Sequence, residues 1–308
     1  MNKRLDSPLA AQLVELVDQI ATIIVGKRAQ IEDCVACLLA GGHLLIEDVP
    51  GVGKTTLAHA LAVSLGLRFS RTQFTADLMP SDLIGVSVYE RSKETFVFHP
   101  GPVFAQVLLA DEINRAGPKT QSALLEAMEE HQVSVEGQTR PLPEPFFVIA
   151  TQNPAHQIGT FPLPESQLDR FLMRIELGYP DRDAERALLA GTDRRQMVAA
   201  LSPLLQGDAL RALQDAAAAV HASAALIDYV QALAECSRGG AFAHGLSPRA
   251  TLGLLAAARA WALIEGRPHV LPEDVQAVLP GVVAHRLHGE GASGTTAGKQ
   301  LIEAVPLP

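Results

Sequence analysis

A short apolar run that breaks into a glycine-rich loop constrains the fold of this chain most strongly. The run His43-Leu44-Leu45-Ile46 is followed closely by Gly51-Val52-Gly53-Lys54-Thr55-Thr56, which leads into a predicted helix. A buried strand, such a loop and a helix together point successive backbone N–H groups and the positive end of the helix dipole into one concavity. The arrangement therefore predicts a binding site for the phosphates of a nucleotide.

Two side chains of this loop have separate expected roles. Lys54 would reach the β- and γ-phosphates as a point charge, and the Thr55 hydroxyl would ligate Mg²⁺, as in loops of the pattern G-x-x-x-x-G-K-[ST]. That pattern requires a glycine five residues before Gly53, where this chain has Asp48. Because Gly-Lys-Thr alone can arise by chance, other parts of the site must support the interpretation. The residues expected to contact the nucleotide are Pro50, Gly51, Val52, Gly53, Lys54, Thr55 and Thr56.

Short apolar runs alternate with helical patterns from residue 20 to 180, which is typical of a parallel sheet with helices on both faces. The predicted strands are 43–47, 68–73, 106–111, 146–151 and 171–176. Because the carboxyl ends of parallel strands meet at one edge, functional side chains are expected directly after the strands. Two inserts, at about 86–98 and 132–143, have the alternation and turns of hairpins.

Alanine- and leucine-rich helices replace this pattern after residue 180. The predicted helices are 182–190, 207–221, 225–237, 247–264 and 272–279. We therefore expect an α/β domain of the P-loop NTPase type over residues 1–180, with its parallel sheet sandwiched by helices, and an all-α domain over residues 181–308.

Polar side chains follow the third and fourth predicted strands. The run Leu108-Leu109-Ala110 delivers Asp111 and Glu112 to the edge of the sheet, and the fourth strand leads to Asn153. Asp111 can hold the Mg²⁺ shell together with Thr55 and water. Glu112 can polarise an attacking water, which Asn153 can orient. The alternatives are an acidic helix start for Asp111 and Glu112, and an ordinary Asn-Pro turn at Asn153.

Charge and hydropathy argue against two classes of partner. The net charge of -9 and the pI near 5.6 do not fit a protein that tracks nucleic-acid phosphates, so nucleic acid is not expected as a partner. No uninterrupted apolar segment reaches the ~18 residues of a membrane helix. The N-terminus also lacks the apolar core of a signal peptide, so we expect a cytoplasmic protein without direct membrane insertion.

Cysteine and histidine pairs suggest metal or redox sites that their surroundings do not support. The three cysteines are too few for a disulfide framework. Cys34 and Cys37 have the C-x-x-C spacing, but they lie in an apolar helical pattern without a second pair of ligands, so a buried structural role is favoured. His285 and His288 are likewise interpreted as part of a solvated helix end.

The order of these features resembles the AAA+ ATPases and, more narrowly, the MoxR family. The narrower match lies in the phosphate loop and in residues 73–82, 100–104, 108–116, 119–126 and 159–171, so that the resemblance covers nearly the whole chain. Members of this family often have a non-glycine residue at the position of Asp48, and Pro50 would supply the bend instead. The resemblance implies an AAA+ core followed by a helical lid.

The family pattern also assigns two arginines. Arg170 resembles an arginine finger, which points into the nucleotide pocket of the neighbouring subunit, and Arg174 is the alternative for that role. An ion pair of Arg170 with Asp169 or Glu165 is the structural alternative. Arg249 resembles the sensor 2 arginine, expected to bridge the helical lid to the γ-phosphate of the same subunit; a surface arginine in a first helical turn is the alternative.

The resemblance implies Mg²⁺-dependent ATP hydrolysis by a homo-oligomer. This oligomer is expected to be a hexameric ring. It also implies chaperone-like remodelling of partner complexes, commonly together with a protein that carries a von Willebrand factor A domain. The two hairpins would face such partners. Two other readings are a nucleic-acid motor, such as an MCM-like helicase or a clamp loader, and a nucleotide-gated regulatory scaffold. The motor predicts basic hairpins and the scaffold predicts loss of Glu112 or Arg170, whereas both residues are present.

Overall fold

The computed structural model describes residues 8–92, 94–153, 161–205, 208–287 and 294–307. In chain order its strands are β1 (Leu44–Glu47), β2 (Phe69–Gln73), β3 (Gly85–Glu90), β4 (Thr95–Pro100), β5 (Val107–Asp111), β6 (Gln132–Val135), β7 (Gln138–Pro141), β8 (Phe147–Gln152) and β9 (Met173–Ile175). Its helices are α1 (Pro8–Ile23), α2 (Arg28–Leu39), α3 (Lys54–Ser64), α4 (Pro80–Ile84), α5 (Pro118–Glu130), α6 (Glu165–Leu168), α7 (Arg182–Ala190), α8 (Arg194–Ala199), α9 (Ala209–Ala218), α10 (Ala224–Ser237), α11 (Pro248–Ile264), α12 (Pro272–Val283) and α13 (Gly294–Ala304).

Five of the strands form one sheet in the order β2-β5-β8-β1-β9. Every neighbouring pair in it is parallel, as the apolar runs predicted. The strands lie within two residues of their predicted bounds. Since all five run the same way, the residues that follow β1, β2, β5 and β8 meet at one edge of the sheet.

Successive side chains of the strands point to opposite faces of the sheet, and an apolar cluster packs against each face. Leu109 of β5 and Ile149 of β8 pack into a cluster with α1, α2, α3 and the helices after residue 180. Their neighbours Leu108 and Val148 pack on the other face, against α5. Because successive side chains of a strand point to opposite faces, burial on both faces requires the nearly continuous apolar runs seen in the sequence.

Both predicted hairpins are present as separate two-stranded antiparallel sheets. β3 pairs with β4, and β6 pairs with β7. The first hairpin exposes apolar side chains, with Phe96 at 69% and Tyr89 at 50% of their full accessible surface, and the two rings contact each other edge to face. These side chains are available to a partner because the core does not use them.

Side-chain caps set the starts of several helices after residue 180. Asp181 accepts a hydrogen bond from the backbone of Ala184 and begins α7, and Ser247 accepts one from Ala250 and begins α11. The predicted end of the last helix at residue 279 is wrong, because α12 continues through Pro280 to Val283. The helices α8 and α13 were not predicted.

The cysteine and histidine pairs have structural surroundings. Cys34 and Cys37 are buried in α2, where burial raises the pKa of both thiols, and Cys37 donates to the backbone oxygen of His43. His285 is buried against the backbone oxygen of Phe171, which differs from the predicted solvated helix end, and His288 lies outside the described residues. Among the described residues no three potential ligands cluster as a metal site, and no helix is both long and apolar enough to cross a membrane.

Candidate active site

A cavity of about 340 Å³ lies at the carboxyl edge of the sheet. It is lined by Pro50, Gly51, Gly53, Lys54, Thr55, Thr56, Arg71, Gln73, Asp111, Glu112 and Asn153. The structure thus brings together the phosphate loop after β1 and the polar residues that follow β5 and β8. Val52 is the loop residue that does not line the cavity; it packs against the apolar core.

The loop between β1 and α3 has the backbone shape that a phosphate group requires. Gly51 and Gly53 have φ angles of 89° and 100°, which side chains other than glycine rarely tolerate. Helix α3 begins at Lys54, so the first N–H groups of the helix have no acceptor within it and face the cavity. These donors, together with the positive end of the helix dipole, fit an anion.

The ammonium group of Lys54 is held within the loop. Its Nζ donates to the backbone oxygens of Asp48, at 2.6 Å, and Val49, at 3.0 Å. Burial lowers the pKa of Lys54, while the charges of Asp48, Asp111 and Glu112 act in the opposite direction. The residues present therefore fit a polyphosphate, because a partly desolvated cation stands beside unpaired backbone donors.

Asp111 is fixed by partners on both carboxylate oxygens. Oδ1 accepts a hydrogen bond from Thr151 Oγ1 at 2.6 Å, and Oδ2 accepts from Arg71 Nη2 at 2.7 Å. The carboxylate and the Thr55 hydroxyl line the same cavity. Oxygen ligands of this kind, few in number, fit a Mg²⁺ ion that keeps part of its water shell.

Glu112 is the most constrained acid of the cavity. Its φ angle of 56° places a non-glycine residue in the left-handed region, and its backbone N–H donates to Thr151 Oγ1 at 2.9 Å. The carboxylate accepts from Asn153 Nδ2 at 2.9 Å and from Gln73 Nε2 at 3.0 Å, and it pairs with Arg115. Backbone strain of this kind concentrates at functional sites. The amide of Asn153 donates to Oε1 of Glu112, and the amide of Gln73 donates to Oε2.

Sequence reasoning missed three residues that contact the two acids. Arg71 and Gln73 lie two residues apart on β2 and therefore on one face, at the end that meets the cavity. Arg115 follows Glu112 by three residues within a single turn. The signal for Arg71 and Gln73 is the alternation of polar residues at the end of β2, and alternation alone indicates a strand without identifying a contact.

The two predicted nucleotide arginines lie together but outside this cavity. Arg170 Nη2 pairs with Glu129 Oε2 at 2.8 Å, and Arg249 pairs with the other oxygen of Glu129. Both arginines line a second cavity, of about 290 Å³, which includes Glu129 and Arg286. The sequence predicts that Arg249 reaches the nucleotide of its own subunit. In the structure, Arg249 instead lies outside the cavity that the phosphate loop lines. The ion-pair partner of Arg170 is Glu129, and neither Asp169 nor Glu165.

Arg174, the alternative finger, is engaged within the sheet. Its Nε lies 3.3 Å from Glu47 Oε2, and its Nη1 donates to the backbone oxygen of Ala284 at 3.2 Å. The side chain is 16% exposed, against 29% for Arg170. These contacts join β9 to β1 and to the end of α12, so they favour Arg170 as the arginine that faces outward.

Known proteins match this chain over most of its length. A family model described as the ATPase family associated with various cellular activities (AAA) matches residues 43–173, and a model of the AAA lid domain matches residues 239–304. The chain is 46% identical to Chaperone MoxR1 from Mycobacterium tuberculosis, over 91% of this chain and 77% of that protein. It is 43% identical to the protein YeaC from Bacillus subtilis, over 96% and 95%. A crystal structure from Cytophaga hutchinsonii superposes with a TM-score of 0.88 at 35% identity, covering 97% of this chain and 96% of that one.

Proposed function

The chain belongs to the MoxR family of AAA ATPases, and we propose that it hydrolyses ATP with Mg²⁺ in the cavity at the carboxyl edge of the sheet. One observation carries the assignment: the carboxylate of Glu112 is aimed by Asn153 and Gln73 into the cavity that the phosphate loop lines. We also place the boundary between the α/β domain and the helical lid at residue 180.

Each residue of the cavity has a distinct role in this proposal. The loop from Pro50 to Thr56 holds the phosphates through its backbone N–H groups, and Lys54 exchanges its loop carbonyls for phosphate oxygens. Thr55 and Asp111 would hold the metal, which when bound offsets the charge that develops on the phosphoryl oxygens. Glu112 takes the proton of the attacking water, and Asn153 keeps the carboxylate oriented toward it.

Arg170 and Arg249 complete the site of a neighbouring subunit in a hexameric ring. Their shared partner Glu129 places both on one face, away from the phosphate loop of their own chain. This arrangement supports a role in trans for Arg249 as well as for Arg170, which revises the expectation that Arg249 acts within its subunit. An arginine supplied in this way can raise the rate by about 10³- to 10⁵-fold.

Two substitutions separate binding from hydrolysis. We expect Glu112→Gln to bind ATP and lose turnover by at least ~100-fold, because the amide cannot accept the proton of water. Lys54→Ala should lose ATP binding itself, because the phosphates lose their cation. The measurements are the dissociation constant of a fluorescent ATP analogue and the release of phosphate. Glu303→Gln, at an exposed carboxylate of α13, is the control. Wild-type turnover in Glu112→Gln would remove the assignment.

The protein acts as a chaperone-like remodeller that assembles or activates partner complexes, together with a protein that carries a von Willebrand factor A domain. The name of its relative Chaperone MoxR1 supports the chaperone-like role. The exposed aromatic side chains of the β3–β4 hairpin support a protein partner, since they offer apolar rather than basic surface. A pull-down with Glu112→Gln and ATP tests this, because the variant should hold the ATP-bound ring on its partner. If DNA instead stimulates the ATPase activity of the wild-type protein, the proposal of a protein partner is wrong.

A further inference from the structure

Asp48 is the residue by which this phosphate loop departs from the general pattern, and its side chain is fully engaged. The residue is 8% exposed. Oδ1 accepts from the backbone N–H of Val49 at 2.7 Å, and Oδ2 accepts from the backbone N–H of Gly178 at 2.6 Å. A glycine at position 48 could make neither contact. The carboxylate thus joins the start of the phosphate loop to a segment 130 residues later in the chain.

The segment that Asp48 contacts is the turn over residues 178–181, which connects β9 to α7. A second contact holds the same turn, because Lys27 Nζ donates to the backbone oxygen of Tyr179 at 2.8 Å. Asp181, the last residue of the turn, caps α7. The turn therefore lies between the phosphate loop on one side and the start of α2 on the other.

The contacts form a continuous path from the nucleotide cavity to this turn. Lys54 Nζ donates to the backbone oxygen of Asp48, and the side chain of Asp48 accepts from Gly178. Building on the proposed ATPase function, we propose that Asp48 is a positioning residue. Its side chain holds the start of the phosphate loop against the 178–181 turn. This contact keeps the loop in its nucleotide-binding conformation before nucleotide binds. When phosphate replaces the loop carbonyls as the partner of Lys54, the resulting change in the loop is transmitted through Asp48 to the turn.

Hydrogen exchange and nucleotide binding test this role without relying on turnover. In the full-length protein without nucleotide, we expect Asp48→Gly to speed amide exchange in the peptide that spans Gly178 by about tenfold, since a hydrogen bond to a charged acceptor is lost. The dissociation constant of ATPγS should rise by about three- to tenfold, because the loop is no longer held in its binding shape. The KM for ATP should rise by a similar factor while kcat changes by less than about twofold.

Transmission to the turn is measured in the same experiment. ATPγS should change exchange at residues 178–181 in the wild-type protein and leave it unchanged in Asp48→Gly. Asp48→Asn keeps the size of the side chain and loses its charge. The amide exchange rate at Gly178 in this variant should therefore lie between those of the wild type and of Asp48→Gly. Asp181→Asn is the matched control in the same turn, because asparagine caps a helix as well as aspartate does. It should behave as the wild type.

An unchanged exchange rate at Gly178 in Asp48→Gly overturns the tie between loop and turn. An unchanged dissociation constant overturns the shaping of the loop, and a wild-type turn that does not respond to ATPγS overturns the transmission. The exchange rate without nucleotide is independent of ATPase activity, so failure of the proposed function, seen as wild-type levels of turnover in Glu112→Gln, is distinguishable from failure of this inference.

Discussion

Glu129 binds the two arginines that we assign to the neighbouring site, one with each carboxylate oxygen. In an assembled ring the phosphate of the neighbouring nucleotide would compete with Glu129 for both guanidinium groups. Ion pairs at this level of exposure, 29% and 49% for the arginines, contribute ~0 to 1 kcal/mol each, so phosphate can displace the carboxylate.

Glu129→Gln should therefore favour binding of Arg170 and Arg249 to the nucleotide of the neighbouring subunit. We expect the half-maximal ATP concentration for hydrolysis to fall by roughly threefold, as the loss of a competitor worth under ~1 kcal/mol implies. A steady-state titration with ATP measures it, and Glu303→Gln, at an exposed carboxylate of α13, should leave the value unchanged. A drop in kcat instead would mean that Glu129 holds the arginines in their active position.

The positions of the main cavity residues were predictable from the sequence, and most of their contacts were not. Strand ends placed Lys54, Asp111, Glu112 and Asn153 at one edge, because the direction of parallel strands determines where their ends meet. The bond between Gln73 and Glu112 joins residues 39 apart and depends on the neighbouring order of β2 and β5, which the apolar pattern does not specify. The pairing of Arg249 with Glu129 spans 120 residues and escaped sequence analysis for the same reason.

At the scale of elements, Arg286 joins the end of α12 to the turn that carries Arg170. Its guanidinium pairs with Asp169 at 2.7 Å and donates to the backbone oxygens of Asp169, Phe171, Leu172 and Val282. Asp169 also accepts from Ser247, the cap of α11. Because Arg249 lies in the first turn of α11, this network sets the two arginines relative to each other.

Arg286→Met should lower the free energy of unfolding by ~3 kcal/mol, because Asp169 and several carbonyls lose a buried partner. It should also abolish most ATPase activity at temperatures where the protein remains folded, since the turn that carries Arg170 is released. Thermal unfolding and phosphate release measure the two effects. Arg267→Met, which removes the buried pair with Asp274 elsewhere in the lid, should lose comparable stability and keep its activity. Equal loss of activity in both variants would refute a specific role for Arg286.

At the scale of the whole molecule, the position of the arginines predicts complementation between defective subunits. Arg170→Ala keeps its phosphate loop, and Lys54→Ala keeps its arginines, so each should be inactive alone. Mixed in equal amounts they should recover roughly one quarter of wild-type ATPase activity, because one interface in four pairs an intact loop with an intact arginine. Arg249→Ala mixed with Lys54→Ala should recover likewise. Recovery in the first mixture but none in the second would return Arg249 to the site of its own subunit.

The apolar core continues without a break from the sheet into the helices of the lid, with Leu172 and Met173 in the same cluster as Leu254 and Val278. Swinging the lid away would bring that aliphatic surface into water, at roughly 25 cal/mol for each Å² exposed. The sheet and the lid of one chain should therefore move as one body. In the ring that we propose, shape changes driven by ATP hydrolysis would then occur as rotations of whole subunits relative to one another, at the contacts between subunits.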